Sequence, residues 1–393
     1  MMKVKHLILL AAFALAGCTA KAPMSLEVVR SEMRRNPEAS FIDGQEGKLK
    51  WNYTTGLELK AMLDVYCHSE RSEESLLDYV DSWYDAIIDS TGRICKYRKE
   101  NWSLDHICPG RTLFQLYDLT GKEKYLAAMD TLYSQLRGQP RTPEGGFWHK
   151  FVYPNQMWLD GLYMAEPFYA EYTNRFVTDS LERDANYRDI VLQFTLAYDK
   201  CLDPSTGLLR HAWDSSHKMF WCDPDTGRSA HAWGRAMGWY SMALVDVAEL
   251  LPEGSEYKDS LIGLLGICCA SLPLYADLST GMWYQVLDRP YGEGNYLEAS
   301  CSAMFVYAWL KAARLGYVSG LEGARMAYES LLSTFVTVED GLVNLNRCCE
   351  VAGLGGKGAR SGDYEYYINE RVRSNDPKGI GPLIWAALEY EQL

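Results

Sequence analysis

The chain reads as an all-α protein, an (α/α)6 barrel of six helical hairpins with short β-like loops at one rim. Three observations predict this: a glycine turn recurs along the chain, amphipathic helical stretches fill the intervals, and the turns carry similar side chains. The turns are "DSTGRICKYR" from Asp89, "PEGGFWHKFVYP" from Pro143, "DPSTGLLRHAWD" from Asp203, "DLSTGMWYQVLD" from Asp277 and "EDGLVNLNRCC" from Glu339. Their glycines, Gly92, Gly145, Gly207, Gly281 and Gly341, lie about 62 residues apart on average, so a chain of this length holds about six units. Short alternating polar and aromatic residues follow each turn.

The intervals are helical. Tyr125, Ala128, Met129, Leu132 and Leu136 recur at three- and four-residue steps, as do Ala236, Tyr240, Ala243, Leu244, Val247 and Leu251. Each set fits one buried helix face. Thr120-Gly121 divides two helices, and Pro252 stops another. "CHSERSEES", residues 67–75, has no helical face and is expected to be a solvent loop. An open helical solenoid would give the same repeat. The similar residues in every loop favour a closed ring that gathers them.

The N-terminus reads MMKVKHLILLAAFALAGC. Lys3 and Lys5 precede an apolar run from Leu7 to Ala16, too short to span a bilayer as a mature helix. The small residues before Cys18 have the form of a bacterial lipobox; an ordinary signal peptide with a chance cysteine is the alternative. Residues 1–17 are therefore expected to be a lipoprotein signal peptide, with Cys18 lipidated. Residues 18–40 are expected to be a tether and 41–393 a single domain. The expected location is periplasmic, with the lipid anchor as the one membrane contact.

The 393 residues carry a net charge of −13, which argues against a nucleic-acid partner. An anionic small substrate stays compatible, because a few Arg or His residues invert the field inside a cleft. Twelve Trp and 27 Tyr offer flat apolar faces with polar edges, suited to sugar stacking and to packing alike. Besides Cys18 there are ten cysteines without a C-x-x-C pair; in an exported protein some could pair, and the reading preferred is buried free thiols. The sequence has no zinc signature, phosphate loop or dinucleotide fingerprint, so no metal or cofactor is expected.

Three constellations could carry chemistry. In "QMWLDGLYMAEPF" Asp160 is an acid among Met157, Trp158, Leu162, Tyr163, Met164 and Phe168. It is either a helix N-cap or a buried acid whose pKa is raised so that it can donate a proton. In "NWSLDHICPGR" Asp105 sits at a similar junction. It is either a capping residue or a second carboxyl, the pair holding each other's pKa values apart. In "HAWGRAMGWY" Arg235 lies between Trp233 and Trp239. A guanidinium fork there can bind a carboxylate; the alternative is a snorkelling side chain at a packed helix start. Gly234 and Gly238, one turn apart, permit close helix packing. His211 and Trp213, Trp148, His149 and Lys150, and Trp283 follow recurring turns, as structural groups or as members of a shared rim.

Together these stretches resemble the unsaturated rhamnogalacturonyl hydrolases of glycoside hydrolase family 105, relatives of the family 88 unsaturated glucuronyl hydrolases. The motifs are "LDHICPGRTLFQLYDLTGKEKY", "QPRTPEGGFWHK", "YPNQMWLDGLYMAEPF", "WGRAMGWYSMALVDV" and "NYLEASCSAMFVYA", in that order. The resemblance implies an (α/α)6 barrel that needs no metal and acts on lyase-cut oligosaccharides ending in a 4,5-unsaturated uronic acid. It implies that Asp160 protonates C4 and helps water add at C5, while Asp105 orients the substrate and influences the charge of Asp160. It places Tyr53, His149, Met164, His211, Trp233, Arg235 and Trp239 around the sugar. An inverting glycosidase on saturated glycans, a sugar epimerase on a similar helical toroid and a non-catalytic glycan-binding lipoprotein are the alternatives.

Overall fold

Residues 22–69 and 73–393 are described by a computed structural model; Cys18 and the segment read as a signal peptide lie outside the described residues. The chain opens with α1 (Met24–Arg35), α2 (Tyr53–His68) and α3 (Glu74–Ile87). Then come α4 (Arg111–Thr120) and α5 (Glu123–Gly138), and α6 (Leu159–Phe176) and α7 (Ser180–Cys201). Next are α8 (Gly234–Leu250) and α9 (Glu256–Ser271), and α10 (Ala299–Arg314) and α11 (Leu321–Phe335). A short α12 (Tyr364–Ile368) and α13 (Pro377–Glu391) complete the series.

Helices α2, α4, α6, α8, α10 and α13 form an inner ring, closed where α13 packs on α2. A 3-10 turn at Cys108–Gly110, just before α4, fills the ring between α2 and α6. Helices α3, α5, α7, α9 and α11 each pack outside the inner helix that precedes them. The sixth outer helix is α1, which lies on α13, so the last hairpin is assembled from the two ends of the chain. The Ser25 backbone N–H and hydroxyl both donate to the Glu391 carboxylate, at 2.9 and 2.6 Å, and Val28 and Val29 are buried. This corrects the tether expected over residues 18–40: from Met24 to Arg35 that segment is barrel wall.

The expected turns appear with their geometry. Gly92, Gly145, Gly207, Gly281 and Gly341 all have φ between +70° and +99°, a region that side chains disfavour. Bridges Ile88 to Ile94, Arg141 to Phe147, Leu202 to Leu209 and Ala276 to Trp283 close four of them. The fifth joins β3 (Val336–Glu339) to β4 (Leu342–Leu345). The structure adds a turn that the spacing missed, "DPDTG" at Asp223–Gly227, closed by a Cys222 to Ser229 bridge. Asp89, Asp203, Asp223 and Asp277 each accept the N–H two residues on, which explains the recurring Asp.

Two expectations change. Residues 67–75 are not a loop throughout, since α2 runs to His68 and α3 starts at Glu74. The inner helices are buried on more than one face: in α8 every residue from Gly234 to Ala248 is buried. An inner helix touches its ring neighbours, its outer partner and the interior, so one apolar stripe does not suffice.

Close approach of α8 and α10 depends on the two glycines. A β-carbon at Gly234 would lie 2.8 Å from Cys301 Sγ, and one at Gly238 2.6 Å from Met304 Sδ and 2.9 Å from its Cβ. Gly238→Val is therefore expected to cost about 1–3 kcal/mol through overpacking. A urea titration should show a lower midpoint with an unchanged slope, and Met304→Ala should restore part of the loss. An unchanged midpoint would show that the two helices are free to separate.

Candidate active site

The inner helices begin at the rim where the turns gather, and backbone bonds between successive loops set the site. Strand β1 (Gln156–Trp158) pairs antiparallel with β2 (Ala212–Asp214), with Trp158 opposite Ala212. The Leu159 N–H donates to the His211 carbonyl at 3.1 Å. This register puts Asp160, the second residue of α6, beside His211, with Nε2 3.2 Å from Asp160 Oδ2. The two atoms are in contact, and each is buried without another partner. Asp160 is not the N-cap of α6; that position is Trp158. Gly161 leaves room for His149, whose Nδ1 would lie 3.2 Å from a β-carbon there.

A second stitch positions Asp105. The Leu104 N–H donates to the His149 carbonyl at 3.0 Å, and the His149 N–H donates to the Gln156 carbonyl at 2.8 Å. Asp105 then meets Lys150 Nζ at 2.5 Å and His149 Nε2 at 3.4 Å. Rings build the wall between the acids. Trp158 stacks on His149 at 4.7 Å and on Tyr153 at 4.9 Å, and meets His211 edge-on at 5.3 Å. Trp233 lies 4.7 Å from the His211 ring. Tyr53 meets Trp239 edge-on at 6.4 Å, and Trp239 stacks on Tyr163 at 4.9 Å. A cavity of about 750 Å³ is lined by Trp51, Tyr53, Asp105, Lys150, Phe151 and Lys378, among others. Asp160 is not part of that lining and joins the site through His149 and Tyr53, which feel both carboxylates.

The electrostatics overturn one expectation. Burial does push the Asp160 carboxyl up, but the His211 ring beside it, then His149, outweigh burial and leave it below the ordinary aspartate value. Asp105 behaves alike: burial opposes its charge, and Lys150, then His149, hold it below the usual range. The two acids therefore do not split each other's pKa values, because each has its own counter-group. Burial pushes the His149 imidazole down to about 4, so the ring is neutral at pH 7. Burial first, then Asp105, push the Tyr53 hydroxyl well above its usual value.

Arg235, the second residue of α8, is fully buried. One of its N–H groups donates to the Cys349 carbonyl, and its Nη1 lies 3.9 Å from Asp376 Oδ1. Its guanidinium carbon is 5.1 Å from the Trp233 ring centre. The Nε and Nη1 groups have no hydrogen-bond partner in the protein. The snorkelling alternative fails, since no part of the side chain reaches water.

Tyr53, Asp105, His149, Asp160, His211, Trp233, Arg235 and Trp239 are thus gathered on one rim. Met164 lies one turn beyond Asp160 on α6, buried among apolar side chains. Trp283 is a core residue against Phe305, its N–H on the Leu272 carbonyl, and Trp213 faces Lys200. The sequence reading missed Tyr153, Gln285, Glu298, Asp376 and Tyr367. Glu298 and Asp376 had a signal, as both cap inner helices, α10 and α13. Tyr367 had none, for it lies outside the repeat. Among the described residues no group of three or more His, Cys, Asp or Glu side chains is placed to hold a metal ion.

Comparison with known proteins matches residues 24–393 to the model of Glycosyl Hydrolase Family 88. A solved glycoside hydrolase from family 105 of C. acetobutylicum is 42% identical, covers 95% of this chain and 100% of its own, and superposes with a TM-score of 0.88. The unsaturated rhamnogalacturonyl hydrolase YesR of Bacillus subtilis is 27% identical over 276 residues, 67% of this chain and 72% of that protein. The unsaturated glucuronyl hydrolase of Bacillus sp. GL1 shares the fold, with a TM-score of 0.66 at 12% identity over 94% of this chain and 95% of its own.

The buried neutral His149 makes stability depend on pH. An unfolded histidine titrates near 6.5, while the folded one titrates near 4. Its contribution is complete above about pH 6.5 and is lost as pH falls toward 4, on the order of 3 kcal/mol in all. Urea midpoints should fall across that window, less steeply for His149→Asn. Parallel slopes in the two proteins would mean that His149 takes up its proton without opposing the fold.

Proposed function

The chain belongs to Glycosyl Hydrolase Family 88 and is a glycoside hydrolase, and we propose that it removes a terminal 4,5-unsaturated uronic acid from lyase-generated oligosaccharides. One observation carries this reading. His149 Nδ1 and the Arg235 Nε and Nη1 groups are buried around one rim without hydrogen-bond partners, beside Asp160 Oδ2 and His211 Nε2, which have only each other. Leaving such groups unpaired is costly, and an anionic sugar supplies what they lack. Likeness to the unsaturated rhamnogalacturonyl hydrolase supports the corresponding rhamnogalacturonyl substrate. The lipobox reading of Cys18 supports a periplasmic enzyme, lipid-anchored to a bacterial membrane.

The chemistry is hydration of a vinyl ether. Asp160 gives a proton to C4, and water adds at C5 while returning a proton to the carboxylate. The hemiketal then opens, the bond to the next sugar breaks, and that sugar leaves with the proton of the C5 hydroxyl. Asp160 needs a proton first, although its protein neighbours hold it below the ordinary value. The incoming uronate brings like charge and expels water, and both raise a carboxyl pKa. Arg235 receives the carboxylate with its free N–H groups. Asp105, neutralised by Lys150, positions sugar hydroxyls. That ion pair also weighs against an inverting glycosidase, which needs a second carboxylate free to activate water.

Asp160→Asn is expected to lower turnover at least on the order of a hundredfold with substrate binding retained. Loss of alkene absorbance from an unsaturated uronyl disaccharide measures it; near-normal turnover in folded protein would remove Asp160 from the reaction. The pH profiles test the protonation argument. A required acid loses rate as pH rises through its pKa, in the free enzyme for kcat/KM and in the complex for kcat. The alkaline limb of kcat should lie at higher pH than that of kcat/KM, whereas coincident limbs would show that the substrate does not raise Asp160.

Arg235→Lys keeps the charge and loses the planar fork. Asp376 stays paired with Arg373 at 2.6 Å and Lys378 at 2.8 Å, so the variant should fold. KM should rise about tenfold or more, the scale of a lost charged hydrogen bond. Unchanged kinetics would make Arg235 structural.

A further inference from the structure

The chain between β5 (Cys348–Cys349) and β6 (Val372–Arg373) leaves the helical repeat, carries α12, and delivers one side chain to the site. The Tyr367 hydroxyl lies 2.8 Å from His211 Nδ1, and both residues are fully buried. Its place is built. Gln285, also fully buried, donates through Nε2 to the Tyr367 carbonyl at 3.1 Å and accepts the Trp233 indole N–H on Oε1 at 3.0 Å. The Tyr367 ring stacks on Trp233 at 6.0 Å and 22°. Asp363 caps α12 by accepting the Tyr366 N–H at 2.8 Å.

A neutral imidazole has one donor nitrogen and one acceptor nitrogen, and the partner of one decides the state of the other. Among the described residues, the hydroxyl of Tyr367 has one hydrogen-bond partner, His211 Nδ1. A buried hydroxyl with no other acceptor donates to it. Nδ1 is then the acceptor, and the ring proton sits on Nε2, the atom 3.2 Å from Asp160 Oδ2.

We propose that Tyr367 is a positioning residue that holds His211 in its Nε2–H tautomer, so that a donor faces Asp160. When Asp160 gives up its proton, the new carboxylate meets an N–H rather than a lone pair. Tyr367 and His211 exchange no proton in this role. The catalytic consequence rests on Asp160 as the proton donor; the tautomer does not.

The experiment uses the full chain labelled with 15N-histidine, as wild type and as Tyr367→Phe, with kinetics on an unsaturated uronyl disaccharide. Wild-type His211 should show a bare Nδ1 and a protonated Nε2, and Tyr367→Phe should populate the other tautomer. Turnover should fall about tenfold, the scale of one well-placed hydrogen bond, with KM little changed. Added to His211→Gln, Tyr367→Phe should cause no further loss. A protonated Nδ1 in the neutral wild type overturns the proposal, and that spectrum decides it even if the variant does not fold. Identical tautomers in both proteins, or equal losses in both backgrounds, also overturn it. Absence of turnover by the wild type would instead strike the functional reading and leave the tautomer measurable.

Discussion

A ring of inner helices closes only if its last member packs on its first. Here that contact joins α13 to α2, with α1 laid on the outside, so both ends of the chain are needed to finish the wall. Closure fixes the direction of every inner helix. Each outer helix ends at the rim where the next inner helix starts, and the connecting segments meet there. The start of an α-helix carries N–H groups without internal partners and a partial positive charge. Tyr53, Asp160 and Arg235 occupy the first or second position of three inner helices, and Glu298 and Asp376 cap two more. In a protein of net charge −13, these helix starts and Arg235 place positive character on the rim among the carboxylates.

Further along the inner helices the charges are matched within the protein. Asp246 is bound by Arg111 at 2.9 Å, Lys311 at 2.8 Å and the Tyr307 hydroxyl at 2.6 Å. Burial pushes its carboxyl up, but Lys311 and then Arg111 override burial and bring it to about 2. Such buried clusters are weak evidence of stability, because desolvation offsets much of the attraction. Their consequence here is geometric. Arg111 lies 5.0 Å from the Tyr163 ring, Tyr163 stacks on Trp239, and Trp239 supports Tyr53. Packed rings thus run from this charge cluster to the rim.

The two acids show why burial alone does not predict a protonation state. Both are surrounded by apolar and aromatic side chains, and for both desolvation is the largest single influence. Each nevertheless ends below its ordinary value because a basic group stands within 3.5 Å. For Asp105 that group comes from the neighbouring turn. For Asp160 it is His211, delivered by strand pairing across some fifty residues of sequence.

Much of the fold was legible in the sequence because it repeats. Turn glycines recur where φ must be positive, and an Asp two positions ahead of a free N–H holds the turn. The apolar steps of α5 and α8 follow from the pitch of a helix. The motifs around Asp105, Asp160 and Arg235 marked the site because charge among aromatic residues needs a partner. What the sequence could not contain was the identity of those partners. The use of α1 as barrel wall, the burial of α8 on every side, the Lys150–Asp105 pair and the contact of Tyr367 with His211 all join distant segments. Spacing along the chain determines local conformation, since torsions and turns are set by near neighbours. Charge state and hydrogen-bond direction depend on distances across the ring, and only closure of the ring decides those.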